Sequence, residues 1–130
     1  MVKDKNKSTL KNISLIIMAV FYLVGGMNHF LHPDSYYPLI PSYLPFHSFI
    51  NIASGVGEIV FGGLLIFPSS RKAGAFGIIA LLILFIPAHI YMIQRGGCMS
   101  PQMCVPVWVA WVRLFPLQFI LIAWARWYAK

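Results

Sequence analysis

The sequence predicts an all-α protein that folds as a four-helix transmembrane bundle. Of its 130 residues, 59% are hydrophobic and 10% are charged, a composition that a soluble domain of this size could not keep on its surface. Four apolar stretches have the roughly 17–25 residues needed to cross the membrane hydrocarbon. They are residues 10–30, 49–67, 73–93 and 106–128. The length predicts one membrane domain over residues 1–130.

The distribution of basic residues predicts how these spans are oriented. Most lysines and arginines fall in segments that an even number of spans places on one side of the membrane. These residues are Lys3, Lys5, Lys7, Lys11, Arg71, Lys72, Arg126 and Lys130. The positive-inside rule then predicts cytoplasmic N- and C-termini in a multi-pass protein of the cell (inner or plasma) membrane. The net charge of +7 therefore indicates topology and contact with the lipid bilayer, and no nucleic-acid partner is expected.

The first span ends near His29 and leads into an outer loop at residues 31–48. Its apolar run is not followed by a small-x-small cleavage pattern, so we interpret it as a true span rather than a signal peptide. The loop contains four prolines and three tyrosines. Prolines prevent a long regular helix, and tyrosines suit the headgroup region. We therefore expect this Pro/Tyr-rich loop to cap the outer face with irregular or short helical structure.

The second span carries Glu58, one of only three acidic residues in the chain. An ionised carboxylate near the middle of a bilayer costs on the order of 3 kcal/mol or more, so it needs a partner, a proton or a watery cavity. At helical periodicity, Glu58 shares one stripe with Asn51, Ser54, Gly55 and Gly62. This pattern predicts that the carboxylate points at other helices.

The third and fourth spans carry further polar groups within apolar sequence. Pro87 precedes His89 by two residues and is expected to kink the third span close to the histidine. The fourth span contains Arg113 and Gln118. At a rise of ~1.5 Å per residue, every span brings a polar side chain into the outer half of the bilayer.

Two interpretations of these polar groups remain open. In the first, Glu58 and Arg113 form a buried ion pair that fixes helix register, and the remaining polar side chains satisfy leftover hydrogen bonds. In the second, the polar side chains line an outward-facing, ligand-binding pocket in which histidine could exchange protons. The candidate ligand-binding residues are His29, Glu58, His89, Arg113 and Gln118.

Cys98 and Cys104 lie in the second outer loop, residues 94–105, on the oxidising side of the membrane. They are either a structural disulfide or unpaired thiols, or they are catalytic as a redox-active pair that exchanges electrons with a substrate. Their spacing is not the Cys-x-x-Cys of thioredoxin-like enzymes. A metal site built from these cysteines with His29 or His89 is less well supported by the spacing, and no metal is predicted.

Four segments resemble the DoxX-like family of small four-helix integral membrane proteins. They are GGMNHFLHPDSYYPLIPSYLP, SGVGEIVFGGLLIFPSSRKAGA, FIPAHIYM and WVRLFPLQFILIAWA. The resemblance implies kinship with a membrane subunit of archaeal thiosulfate:quinone oxidoreductase, with proteins of thiol-stress defence and with animal chaperones of receptor assembly. It places His29, Glu58, His89 and Arg113 within family-like motifs.

Three functions follow from these observations. The first is a quinone- or thiol-linked redox component, an oxidoreductase subunit if it is an enzyme, with quinone as the cofactor considered. The second is a non-enzymatic assembly factor or chaperone that contacts a membrane protein partner, or another copy of itself, through small-residue faces that include Gly55, Gly62 and Gly74. The third is a binder or transporter of a small lipophilic molecule.

Overall fold

The computed structural model describes residues 2–100 and 103–129. Within them, four helical segments are long and apolar enough to cross a membrane, which confirms the all-α, four-span prediction. Their bounds are Ser8–Leu31, His47–Ile66, Arg71–Gln94 and Val107–Tyr128. Each bound lies within two residues of the predicted one. Lys130, one of the basic residues behind the predicted orientation, lies outside the described residues.

Seven α-helices and two short strands make up the described chain. The helices are α1 (Val2–Leu31), α2 (Pro33–Tyr36), α3 (His47–Ile66), α4 (Arg71–Leu84), α5 (Ile86–Gln94), α6 (Val107–Val112) and α7 (Phe119–Tyr128). A 3₁₀ turn, Tyr37–Leu39, follows α2, and a wider π-type turn, Arg113–Gln118, joins α6 to α7. Strands β1 (Cys98–Ser100) and β2 (Met103–Cys104) pair antiparallel as a small hairpin.

Prolines interrupt the third and fourth spans. The third span breaks between α4 and α5 at Phe85, just before Pro87, which confirms the predicted kink. The fourth span is irregular at Phe115, where the backbone has φ −139° and ψ 117°. Because proline disfavours helical geometry in the residue before it, Pro116 accounts for this second irregularity.

Glycines let neighbouring helices approach at backbone distance. A Cβ built on Gly26 of α1 would lie 2.7 Å from the carbonyl oxygen of Gly55 in α3. A Cβ on Gly74 of α4 would lie 2.8 Å from the carbonyl oxygen of Phe61 in α3. Such close approach through small residues is how membrane helices gain packing contacts.

This packing corrects the expectation that small-residue faces are offered to a partner protein. Gly55 packs against α1, and Gly62 lies against the backbone of the same helix near Ala19. Gly74 packs against α3. All three glycines named for that role are therefore occupied by the chain's own helices.

The two ends of the bundle differ in character. We call the end near residues 10 and 128 the terminal end, and the end that carries residues 32–46 and 95–106 the loop end. Buried apolar side chains concentrate at the terminal end, where α1, α3, α4 and α7 meet. They include Leu15, Met18, Leu65, Ile78, Ala125 and Tyr128. At this end the indole of Trp124 and the hydroxyl of Tyr128 hydrogen-bond to the hydroxyl of Ser14, at 2.8 and 2.6 Å.

The loop end is covered by short elements that contact one another. The segment after α1 forms α2 and the 3₁₀ turn, as expected for irregular or short helical structure. The β1–β2 hairpin is closed by a disulfide between Cys98 and Cys104. Arg95 Nη1 donates a hydrogen bond to the carbonyl of Pro38 at 2.9 Å. This contact ties the hairpin side of the loop end to the turn that follows α2.

Candidate functional site

A cavity of about 250 Å³ lies at the loop end, between the spans and the segment that covers them. One part of its wall is polar and the other is apolar. The polar part comprises His29, Tyr36, Asn51, Ser54, Glu58, His89 and Arg113. The apolar part comprises Leu39, Ile40, Pro41, Leu44, Ile50, Leu84, Phe85, Pro87 and Ala88. Every span contributes to this wall, so the bundle itself builds the cavity.

His29 is held on three sides. Its Nδ1 lies 2.7 Å from Asn51 Oδ1, and Asn51 Nδ2 donates to the backbone carbonyl of His29 at 2.9 Å. The ring of Tyr36 stacks on the imidazole, with centroids 3.8 Å apart. The Tyr36 hydroxyl in turn accepts a hydrogen bond from Asn28 at 2.6 Å. The imidazole therefore has a fixed orientation, with its Nε2 edge directed at Glu58.

Glu58 lies against that edge. Its Oε2 atom is 3.3 Å from His29 Nε2, and the two side chains are only 11% and 9% exposed. The contact is an ion-pair distance without hydrogen-bond alignment, because Oε2 has no hydrogen-bond partner among the described residues. Gly25 makes room for the carboxylate, since a Cβ there would lie 3.3 Å from Oε2. The site thus holds a buried carboxylate with an imidazole at ion-pair distance.

The hydroxyl of Tyr22 is a second buried polar atom without a hydrogen-bond partner in the described part of the chain. It lies on α1 two turns before His29 and interacts electrostatically with Glu58. Buried polar groups are normally hydrogen-bonded, so the Tyr22 hydroxyl and the Glu58 carboxylate are two exceptions among the described residues.

The expected pairing of Glu58 with Arg113 is wrong. Glu58 meets His29 because the glycine contacts bring α1 and α3 together, whereas Arg113 Nη1 donates to Met92 Sδ at 3.4 Å. Arg113 nevertheless shares the cavity wall with His89. Glu58 and Arg113 therefore line the same cavity without forming the predicted ion pair.

Gln118 is buried but is not one of the cavity's lining residues. Its Nε2 donates to the carbonyl of Leu82 at 2.6 Å. Leu82 is in the last turn of α4, where carbonyls lack a helical partner, so Gln118 compensates for the break at Phe85. Gln118 also lies beside His89. Its contacts place it behind the cavity wall.

Of the five predicted ligand-binding residues, four come together at the cavity, namely His29, Glu58, His89 and Arg113. The two cysteines form a disulfide in the hairpin and are not part of the cavity wall. Asn51, Ser54 and Tyr36 belong to the site but were not predicted as site residues. The helical stripe through Glu58 already contained the first two, whereas no periodic pattern could place Tyr36 because it comes from the irregular loop.

A family model described as a domain of unknown function, DUF8561, matches residues 18–129. No curated protein and no solved structure matches the chain. The matched region begins within α1 and ends just after α7, so it includes every residue of the cavity wall.

Proposed function

We propose that this chain, which belongs to the DUF8561 family, is a membrane protein that binds a small lipophilic molecule whose polar head accepts hydrogen bonds. The observation that carries the proposal is the cavity, in which a buried carboxylate and two histidines face an apolar wall. Ligand pockets typically combine a mostly apolar lining with a few convergent polar groups. An ionisable side chain within a membrane span is also a functional-site candidate by default.

A quinone ring fits the site by size and by chemistry. The cavity of about 250 Å³ is larger than the ~150 Å³ that accommodates benzene. The guanidinium of Arg113 and the imidazoles of His29 and His89 can donate hydrogen bonds to carbonyl oxygens. The side chain of Glu58 forms part of the same wall. A bound quinone would supply two-electron, two-proton redox chemistry.

We also propose an orientation of the protein in the cell membrane. The basic residues near both termini and in the turn before α4 favour a cytoplasmic terminal end. The cavity and the disulfide-closed hairpin would then lie toward the outside, where disulfides persist, and the Pro/Tyr-rich segment would cap the outer face. The resemblance to the DoxX-like family supports the same arrangement and is part of this proposal.

The test is binding of decyl-benzoquinone to the protein in lipid nanodiscs, measured by equilibrium dialysis. Decylbenzene, which has the tail but no carbonyl groups, is the control ligand. Ala88→Leu adds a side chain to the cavity wall, and Ala53→Leu makes the same change on the exposed face of α3. We expect saturable binding of the quinone alone, weakened at least tenfold by Ala88→Leu and unchanged by Ala53→Leu. Equal binding of both ligands, or equal affinity of both variants, would show that the cavity is not the binding site.

A thiol-linked redox function is the second candidate, favoured by the disulfide at the loop end. Oxidation of the Cys98 and Cys104 thiols to the disulfide releases two electrons and two protons, which is what reduction of a quinone to a quinol consumes. Thiol trapping in native membranes, at a series of redox potentials and with or without decyl-benzoquinone, tests this function. A pair that is re-oxidised by the quinone supports it, whereas a disulfide that persists at every potential excludes it.

A further inference from the structure

The hydrogen bonds of Asn51 determine which nitrogen of His29 carries a hydrogen. A backbone carbonyl can only accept, so the Asn51 atom 2.9 Å from the His29 carbonyl must be the amide nitrogen. The other end of the amide, which faces His29 Nδ1 at 2.7 Å, is therefore the oxygen. Because that oxygen is an acceptor, Nδ1 must be protonated. A neutral His29 is thus held with a lone pair on Nε2.

That nitrogen lies 3.3 Å from the Oε2 atom of Glu58. A neutral imidazole beside an ionised carboxylate would place a lone pair against a buried anion, with no hydrogen between them. Burying an uncompensated charge in this way is strongly unfavourable. One additional proton removes the conflict, either on Nε2 as an imidazolium beside a carboxylate or on Oε2 as a carboxylic acid beside a neutral imidazole. The pair carries no net charge in either form.

We infer that His29 and Glu58 share one buried proton, that Asn51 confines it to the edge between Nε2 and Oε2, and that this proton is the hydrogen-bond donor for the head of the ligand. The last part rests on the proposed function, and the first two do not. Asn51 is then a positioning residue that acts through His29. A ligand with a carbonyl or anionic oxygen would be favoured over one whose head can only donate.

Four other titratable or charged groups surround the pair. Tyr22 of α1 interacts with Glu58, and Tyr36 stacks on the imidazole. Phenols are uncharged at neutral pH, so neither tyrosine can balance the carboxylate. His89 of α5 and Arg113 of the π-type turn lie on the same cavity wall. Arg113 forms no ion pair with Glu58 among the described residues, so the one group at ion-pair distance from the carboxylate is His29.

The composition of the chain makes the shared proton directly observable. Glu58 is the only glutamate among the three acidic residues, so infrared spectra of protein labelled with ¹³C-glutamate report on Glu58 alone. The chain has four histidines, and nitrogen NMR of protein labelled with ¹⁵N-histidine in bilayers reports which ring nitrogens are protonated. The signals of His32, His47 and His89 are assigned by replacing each residue with Gln in turn, and the signals that all three variants retain belong to His29, so the assignment does not depend on the folding of His29→Gln.

In the unliganded protein at neutral pH, we expect a protonated Nδ1 together with either a protonated Nε2 or a protonated Glu58 carboxyl. A His29 protonated only on Nε2, or only on Nδ1 beside an ionised Glu58, would overturn the inference. In Asn51→Leu, we expect His29 to switch to the Nε2–H tautomer and donate to an ionised Glu58. A purely structural role for Asn51 would lower stability but would not move the proton, so retention of the wild-type spectra would contradict its positioning role.

The ligand part of the inference is tested with decyl-benzoquinone. We expect Asn51→Leu to weaken binding about tenfold, the effect of losing one good hydrogen bond to the ligand. Asp34→Asn, which changes an exposed carboxyl outside the cavity, should bind like the wild type. If the wild type binds no quinone, the proposed function fails while the spectra still decide the shared proton. If the wild type and Asn51→Leu bind equally well, the proton is not the ligand's donor.

Discussion

Replacing His29 by Leu should be among the most destabilising single substitutions in this chain. At the 3.3 Å separation of Nε2 and Oε2, Coulomb's law gives about 5 kcal/mol for a charged pair at an effective dielectric constant of 20. Both side chains are largely buried, so solvent screens this interaction little. Removal of one partner of such a pair typically costs about 3–5 kcal/mol, and we expect His29→Leu to lower the free energy of unfolding by that amount.

Glu58→Leu should cost less, about 1–3 kcal/mol, because a neutral imidazole can remain after the carboxylate is gone. The double variant has no buried carboxylate that needs a partner. Its free energy of unfolding should therefore fall by about 2–3 kcal/mol less than the sum of the decreases in the two single variants. Asn51 loses its hydrogen bond to His29 Nδ1 in both variants that contain His29→Leu. The cost of this loss therefore cancels in the double-mutant cycle.

The assay is reversible unfolding with SDS in mixed micelles, followed by circular dichroism. His32→Leu makes the same substitution at an exposed position after α1 and should change stability by less than about 0.5 kcal/mol. Additive losses in the double variant would show that His29 and Glu58 do not interact. A loss below about 1 kcal/mol for His29→Leu would show that the Glu58 side chain does not need the imidazole, and would exclude the imidazolium–carboxylate form of the pair.

Three further predictions concern packing and the loop end. Gly55→Ala should cost about 1–3 kcal/mol by overpacking, because its Cβ would lie 2.9 Å from His29 Cβ. Gly63→Ala should be neutral or stabilising, because no atom lies within 4 Å of the new Cβ. Unfolding in SDS compares the stability of the two variants. Gln118→Leu should lower the free energy of unfolding by about 1–3 kcal/mol, because the Leu82 carbonyl loses its donor. Gln94→Leu, at an exposed helix end, is the matched control. Equal decreases in the two variants would contradict the role assigned to Gln118. Reduction of the hairpin disulfide, which closes a loop with a sequence separation of 6, should lower the free energy of unfolding by about 2 kcal/mol, and an unchanged value would mean that the hairpin is held by its other contacts.

The spans could be predicted from the sequence because membrane thickness fixes the length of an apolar helix. The break near Phe85 was predictable because Pro87 has no N–H to continue the helix. Four of the five predicted ligand-binding residues line the cavity, because polar side chains at similar depth in different spans have few other places to point. Depth in the membrane and helical periodicity depend only on local sequence, so both can be predicted without a known fold.

The partner of Glu58 could not be predicted in this way. Matching charges by sign selects Arg113, but the contact that forms depends on which helices are neighbours. That choice is made by the close approach of α1 and α3 through Gly26 and Gly55, and a glycine pattern indicates a close contact without indicating with which helix. The contribution of Tyr36 depends on the path of an irregular loop, for which the sequence contains no periodic signal.

The arrangement of the bundle separates stability from binding. The terminal end buries a continuous apolar cluster, and the hydroxyl of Ser14 accepts hydrogen bonds from both Trp124 and Tyr128. The loop end contains a cavity with Glu58 in its wall, and Glu58 Oε2 is buried without a hydrogen-bond partner among the described residues; both features cost stability. A bundle selected for stability alone would fill such a cavity with apolar side chains. The polar cavity is retained where its cost is balanced by packing at the opposite end, which is the pattern expected when function determines the chemistry of a site.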